Sequence, residues 1–365
     1  MNKTFTALAI GLSATAATAQ NHSAMAIFGV LDADLAHYKL NGVSKTLVGS
    51  SGHLPSLVGL RGTEDLGGGY TAGFWLESTL LNDTGGGLGA GGAFSFNRRS
   101  TVGLATPWGE IRMGRENALT FWNHIVYDPF NGSGPGSALN TTIGTGGNGA
   151  ASANPPVSTS VGNGLSYLWG YAPNGQSYLG KGFFGHVMHA FAETPAGAPA
   201  VGRYTGARVG YAQEQFHGTV AYAVSRGPGA YGAPAGLRYK EFNLGASYDF
   251  GSARVMAHGG FNETDVADTR YTHWGVGAVF RVGTGTIPVS YRRVRRDNAA
   301  GSGAQQIAIG YVHNLSKRTA VYTAISRLEN RGRDTFTFRG GNGGTSGLAG
   351  GGSGTGYDIG IKHFF

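Results

Sequence analysis

Few residues in this chain have both the type and the spacing that cofactor chemistry needs. Residues 87–92 read Gly-Leu-Gly-Ala-Gly-Gly and formally match a dinucleotide-binding fingerprint. That fingerprint needs a strand before it and a helix after it. Here the run lies in a glycine-rich connection between two segments with strand periodicity, so we interpret it as a loop and expect no nucleotide cofactor.

Metal and hydrolase chemistry also find little support in the local spacing. His186 and His189 are three residues apart, and on a strand that spacing places them on opposite faces, where they cannot hold one metal ion. No local Ser, His and Asp arrangement stands out. The sequence therefore predicts neither a metal site nor a bound cofactor.

A local basic run, Arg292, Arg293, Arg295 and Arg296, ends one of the predicted strands. We favour a solvated strand end, with binding of anionic lipopolysaccharide as the alternative. Elsewhere the charge is scattered: the chain has 28 basic and 20 acidic residues, a net charge of +8. A nucleic-acid-binding protein concentrates such charge on one surface, so we expect no nucleic-acid partner.

The first 19 residues have the layout of a cleaved secretory signal. Lys3 precedes an apolar stretch, and Ala17-Thr18-Ala19 precedes Gln20. The prediction is a signal peptide over 1–19 and a mature domain over 20–365, with a net charge of about +7 once Lys3 is removed. No later segment approaches the roughly 20 continuous apolar residues of a spanning helix, and cysteine is absent.

The elements that must position any functional residue are strands. The chain holds 66 glycines and 41 aromatic residues, and a two-residue period recurs to its end. In the final segment Tyr357, Ile359, Ile361 and Phe365 share one face, and Phe364 faces the other way. A strand that runs to an aromatic carboxyl terminus indicates a closed sheet, since chain ends usually fray.

Sixteen segments carry this period: 24–38, 55–66, 70–82, 94–107, 110–116, 163–171, 181–193, 203–214, 215–226, 239–250, 253–264, 271–282, 286–296, 305–315, 319–329 and 354–365. Long connections alternate with mostly tight turns, the long ones being 39–54, 83–93, 117–162, 194–202, 227–238, 265–270, 297–304 and 330–353. An even strand count with one long-loop rim and one short-turn rim predicts an all-β protein, a sixteen-stranded antiparallel transmembrane barrel. The connection 172–180 is longer than this layout requires.

A large soluble β-sandwich is the alternative fold, because the same alternation could separate a core from solvent. In the segment 70–80, Tyr70, Phe74 and Leu76 share one face and Glu77 shares the other with Trp75. Sixteen consecutive strands without a second domain favour the barrel, which is wide enough for an aqueous channel.

Several runs resemble the Gram-negative general porins, particularly the beta-proteobacterial and neisserial type. They are Gly59 to Gly69 with Phe74 to Ser78, Asn97 to Leu104, Gly109 to Arg115, Gly245 to Gly251 and Leu315 to Tyr322. The resemblance implies an outer-membrane homotrimer surrounded by lipid and lipopolysaccharide. Each barrel would be a passive diffusion channel for small hydrophilic solutes and ions.

The resemblance also implies a pore constriction. The third long connection, 117–162, would fold into the barrel and carry Asp128 as the acidic side of the constriction, the alternative being a turn-forming aspartate before Pro129. On the wall, Arg98 matches a family arginine. Leu57 and Ser166 stand where the family tends to have others, which predicts a weaker basic side and a mild anion preference.

Two further residues complete the predicted constriction. Arg61 shares the face of Leu57 and should point into the lumen. Glu77 is the expected partner if the lumen arginines are structural rather than involved in transport. A barrel hydrolase and a plugged adhesin barrel remain the alternative functions, which tests of hydrolysis and of ion conductance would distinguish.

Overall fold

A computed structural model describes residues 24–142, 159–175, 179–196, 200–227, 236–265, 269–297, 301–332, 334–339, 348 and 351–365. The predicted signal peptide, residues 1–19, lies outside these ranges, as does the start of the mature chain. Cleavage near Ala19 therefore stays a prediction.

Within these ranges the chain is almost entirely β-structure. The strands are β1 (Ala24–Leu40), β2 (Val43–Ser50), β3 (Leu57–Gly67), β4 (Tyr70–Thr79), β5 (Arg99–Thr106), β6 (Gly109–Asn117), β7 (Ser160–Trp169), β8 (Gly182–Ala190), β9 (Tyr204–Gln213), β10 (Phe216–Arg226), β11 (Arg238–Asp249), β12 (Ala253–Thr264), β13 (Thr269–Val282), β14 (Gly285–Arg296), β15 (Gly303–Asn314), β16 (Thr319–Arg331) and β17 (Ser353–Phe364). An α-helix, α1, spans Leu119–Val126, and 3₁₀ turns span Ala90–Gly92 and Ala138–Thr141. No helix in the described part of the chain is long and apolar enough to cross a membrane.

The strands form one closed antiparallel sheet. From β3 onward each strand pairs with the next, and β17 pairs back with β1, from Val30 opposite Phe364 to Leu40 opposite Gly354. Beyond the strand end, Gly29 and Phe365 exchange two backbone hydrogen bonds of 3.2 and 3.1 Å. The chain terminus is therefore part of the wall, and the pairing of β17 with β1 closes the sheet on itself, as a membrane requires of a spanning sheet.

The second position in the wall is shared by β2 and β3. β3 pairs with the first half of β1 and β2 with its second half. The seventeen strands of the described residues thus occupy sixteen positions, which confirms the predicted barrel. The predicted long loop over 39–54 is wrong: Asn41 and Gly42, with φ of 50° and 80°, form the tight turn that two-residue hairpins favour.

The other connections follow the predicted alternation of rims. The overlong 172–180 connection has a local role on the short-turn side. The backbone N–H of Asn174 donates to Glu110 Oε2 at 2.9 Å, and the carbonyl of Gly175 accepts from Arg99 and Arg112, each at 3.2 Å. Asn174 and Gly175 therefore lie over the inner side of β5 and β6.

The two faces of the wall differ as predicted. On β17, Tyr357, Ile359 and Ile361 are exposed on the outside, whereas Asp358 and Lys362 are buried on the inside. The outer face is therefore apolar along the strands and suits lipid, and the inner face is polar.

Aromatic side chains also mark the short-turn rim. Trp108, Phe183 and Phe250 are among the most exposed large apolar residues of the described chain, and each lies at or beside a turn on that rim. Aromatic girdles at the membrane interfaces are typical of outer-membrane barrels.

Candidate functional site in the barrel lumen

The first part of the connection between β6 and β7 packs against the inner wall. On α1, Thr120 Oγ1 donates to Glu241 Oε2 at 2.6 Å and Asn123 Nδ2 donates to Asn243 Oδ1 at 2.8 Å. Glu241 and Asn243 are buried and alternate along β11 with the outward-facing residues. These contacts place α1 inside the barrel.

An arginine of β9, two strands from β11 along the wall, contacts the same helix. Arg208 Nε, on β9, donates to Asn123 Oδ1 at 2.8 Å, and its Nη1 donates to the Tyr171 hydroxyl at 3.3 Å. The guanidinium also lies 5.5 Å from the ring centre of Phe184. Arg208 was not among the predicted site residues, although it alternates along β9 with apolar residues that face outward, and this alternation predicts that it faces inward.

The connection continues across the lumen to the far wall. Gln306 Nε2, on β15, donates to the carbonyls of Pro135 and Ser137 at 3.2 and 3.3 Å. The backbone N–H of Arg339 donates to Asn140 Oδ1 at 2.9 Å. The segment 118–142 is therefore anchored at both ends to wall or loop residues on the inside of the barrel.

Asp128 organises the middle of this segment. Its carboxylate accepts backbone hydrogen bonds from Phe130 (3.2 Å), Gly132 (2.9 Å) and Ala138 (2.8 Å), and the residue is only 3% exposed. Burial raises the pKa of the Asp128 carboxyl, a rise opposed by the Arg292 guanidinium and by these backbone donors. The contacts are those of the turn-forming alternative, and an additional role toward ions stays a proposal.

Arg98 and Glu77 form an ion pair. Arg98 Nε lies 2.5 Å from Glu77 Oε1, and Glu77 Oε2 accepts from Trp75 Nε1 at 3.2 Å. The side chains retain 25% and 12% exposure, so the pair is in reach of water. The structural pairing that the sequence offered as an alternative is present, and whether Arg98 also acts on passing ions remains a prediction.

Arg61 points to the inside, as predicted. Its guanidinium lies 5.4 Å from the ring centre of Phe28 and 5.1 Å from that of Trp75, both of which are buried. Arg99 lies 4.5 Å from the Trp75 ring as well. Favourable cation–π contacts of this kind hold a guanidinium in place without neutralising it.

A second charged group on β5 and β6 was not selected from the sequence. Arg112 forms ion pairs with Glu110 at 2.8 Å and with Glu116 at 2.7 Å, and Arg99 lies 3.9 Å from Glu116. Residues 110, 112 and 116 are separated by even numbers of positions, so the two-residue period of a strand places them on the same, inner face of β6. The prediction of a weaker basic side rested on Leu57 and Ser166 and left these wall arginines out.

The four predicted constriction residues thus lie in two separate places in the lumen. Glu77 and Arg98 touch, and Arg61 lies over the tryptophan that binds Glu77. Asp128 instead lines a cavity of about 230 Å³ toward the short-turn rim, whose lining also includes His53, Arg254, Met256, Arg281 and Asn314. The lumen therefore has charged side chains on the wall and on the inward segment.

An antiparallel barrel with an apolar outer face, a charged lumen and the segment 118–142 folded inside defines a membrane channel of the outer-membrane class. The chain belongs to the Gram-negative porin family, whose model matches residues 4–333. It is an outer-membrane porin and not an enzyme.

Relatives and solved structures agree with this assignment. Outer membrane porin protein 32 of Delftia acidovorans is 36% identical over 373 residues, covering 100% of both chains. A solved anion-selective porin from Comamonas acidovorans is 34% identical with a TM-score of 0.77, covering 94% of this chain and 100% of that one. The trimer form of OmpT from Vibrio cholerae shares the fold alone, at 12% identity, a TM-score of 0.64, and coverage of 94% and 99%.

Proposed function

We propose that this porin is a passive diffusion channel for small hydrophilic solutes and ions with a mild preference for anions. The observation that carries the proposal is the uneven exposure of charge on the inner face. Inward-facing carboxylates are mostly buried, namely Asp32, Asp34, Glu110, Glu116, Glu241 and Asp358, with Glu77 partly exposed beside Arg98, whereas Arg61, Arg98 and Arg254 keep part of their surface exposed. Fixed cationic charge on a pore wall attracts anions and repels cations.

The partners of these arginines support the same proposal. Arg254 donates to Ser247 Oγ at 2.9 Å, and the Arg61 guanidinium faces the rings of Phe28 and Trp75. Neutral acceptors orient a guanidinium but leave its charge in place. A solved structure that the chain resembles is described as anion-selective.

The ion pair between Arg98 and Glu77 allows a direct test of the proposed anion preference. We expect Arg98→Ala to shift the zero-current potential in a salt gradient toward cations, because it removes a positive charge and leaves the Glu77 carboxylate uncompensated. Glu77→Gln should shift it toward anions, and the double variant should return close to the parent. An unchanged potential in both single variants would make the pair structural only and leave selectivity to the other wall arginines.

A homotrimer in contact with membrane lipid is the assembly we propose. The connection between β4 and β5 exposes Leu88, Phe94 and Phe96, apolar side chains that a neighbouring barrel can cover. Mild detergent extraction followed by cross-linking should give a species of three chains, and Phe94→Ser with Phe96→Ser should weaken it. A monomer under these conditions would contradict the trimer and leave the barrel intact.

Lipopolysaccharide is the proposed ligand of the basic run on β14. The run divides between the faces: Arg292 is buried on the inside, whereas Arg293 and Arg295 are exposed on the outside. Anionic headgroups at the long-loop rim would meet the outer pair. Reduced retention of lipopolysaccharide by a variant with Arg293→Ser and Arg295→Ser, relative to the parent, is the expected result.

A further inference from the structure

Three histidines from separate parts of the sequence meet at the junction of α1 and the wall. His124 lies on α1, His258 on β12 and His273 on β13. Their ring centres are 4.6 Å apart for His124 and His258, and 5.2 Å apart for each of the other two pairs. All three are buried.

The ring nitrogens of this cluster have little else to bind. Among the described residues, none supplies a hydrogen-bond partner to His124 Nδ1 or to either ring nitrogen of His258 and His273. The contact of His124 Nε2 with Asn243 Nδ2 is long, at 3.4 Å. Unpaired buried polar atoms cost about 1–3 kcal/mol each, so three such rings side by side call for a ligand.

The geometry fits one small metal ion. One nitrogen from each ring can be chosen so that the three atoms lie within 4.8 Å of one another. Zn–N bonds of about 2.0–2.1 Å at tetrahedral angles place three ligand nitrogens roughly 3.4 Å apart and three imidazole centres roughly 5 Å apart. The ring centres already have this separation, and rotation of the rings would bring the nitrogens to the shorter distance.

We propose that His124, His258 and His273 form a site for a divalent transition-metal ion of the Zn²⁺ type. Three imidazoles suit Zn²⁺, Co²⁺, Ni²⁺ or Cu²⁺, not Mg²⁺ or Ca²⁺, which prefer oxygen ligands. Three protein ligands leave a fourth position for water or an anion from the lumen. Because one ligand comes from the inward segment and two from the wall, the ion would fasten α1 to β12 and β13.

The surrounding charges bear on how tightly the ion is held. Arg292 interacts electrostatically with His124 and His258 and opposes a cation, while the Asp128 carboxylate interacts with Arg292 and reduces that opposition. Binding would also lengthen the weak contact between His124 and Asn243. The free energy of coordination by three neutral nitrogens must exceed the repulsion from Arg292 and the loss of the contact between His124 and Asn243. The site does not depend on the ion selectivity proposed above.

The test uses the folded porin in detergent, first treated with a chelator and then titrated with ZnCl₂ in a calorimeter. We expect one ion for each chain, and we expect His124→Gln and His258→Gln to weaken binding by at least roughly the 10–100-fold caused by loss of an outer-shell partner. His186→Gln is the matched control, since His186 is buried on the inner face and both of its ring nitrogens also lack partners among the described residues. It should bind as the parent does.

CoCl₂ provides a second readout, because a tetrahedral cobalt site absorbs visible light far more strongly than the hydrated ion. The parent and His186→Gln should give this spectrum, and His124→Gln should not. His124 lies outside the wall strands, so its variant tests the site even if His258→Gln fails to form a heat-modifiable barrel. Absence of zinc binding by the parent, or equal binding by the parent and His124→Gln, would overturn the proposal.

Discussion

Deletion of Phe365, or its replacement by aspartate, is expected to prevent most of the protein from reaching the folded, membrane-inserted state. Phe365 extends the closing pairing of β17 with β1 by two backbone hydrogen bonds with Gly29. Its ring lies over the same glycine, where an added Cβ would come 2.3 Å from Phe365 Cζ. Phe365 is 40% exposed, so its protein contacts contribute only part of the about 1.5–3 kcal/mol of a fully buried phenylalanine and lipid covers the rest, while a charge at a membrane interface adds about 0–1 kcal/mol.

The neighbouring residue gives a matched control. Phe364 faces inward, with the Lys362 ammonium 5.6 Å from its ring centre, and Phe364→Asp should insert better than Phe365→Asp. Gly29→Ala is a complementary variant, because it should displace the Phe365 ring while leaving the terminus unchanged. Heat-modifiable gel migration of the membrane fraction measures all three, and equal insertion of the two aspartate variants would reject the face assignment.

Replacing Asp128 by alanine is expected to loosen the segment inside the lumen and alter the channel current. The variant would leave two buried backbone N–H groups, those of Phe130 and Ala138, and the half-buried one of Gly132 without their carboxylate acceptor, and a buried donor left unpaired costs about 1–3 kcal/mol. Residues 128–138 should then exchange their amide hydrogens much faster, and single-channel recordings should show a changed conductance with more open-channel noise.

Asp128→Asn separates structure from charge, because it keeps one side-chain oxygen as an acceptor but removes the negative charge. It should restore much of the exchange protection, and any remaining shift of the zero-current potential would report the carboxylate's effect on ions. Parent-like exchange and conductance in Asp128→Ala would show that the three hydrogen bonds do not hold the segment.

The sequence determines the wall far better than the lumen. The two-residue period correctly predicted the final strand, the inward Trp75 and the sixteen positions, because each strand must be apolar toward lipid. β2 was missed since its polar residues, such as Ser44 and Lys45, lie on a hairpin without a long apolar face. The Asn41-Gly42 turn was the available signal.

Contacts across the lumen form because the barrel closes and brings distant strands together, so no local sequence pattern predicts them. The pairing of Arg98 with Glu77 was foreseen as an alternative because neighbouring strands bring them together. Asn123 with Arg208 joins residues 85 positions apart, and no spacing in the sequence indicates it. The three histidines are likewise distant in sequence, and local spacing points only to His186 and His189.

The most direct test of the account is the zero-current potential of the purified porin in a planar bilayer with a KCl gradient. We expect stepwise channels whose potential has the sign of anion preference, and a weaker preference at high salt, since the screening length falls from about 10 Å at 0.1 M to about 3 Å at 1 M. A protein that inserts without conducting, or a channel that prefers cations at low salt, would contradict it.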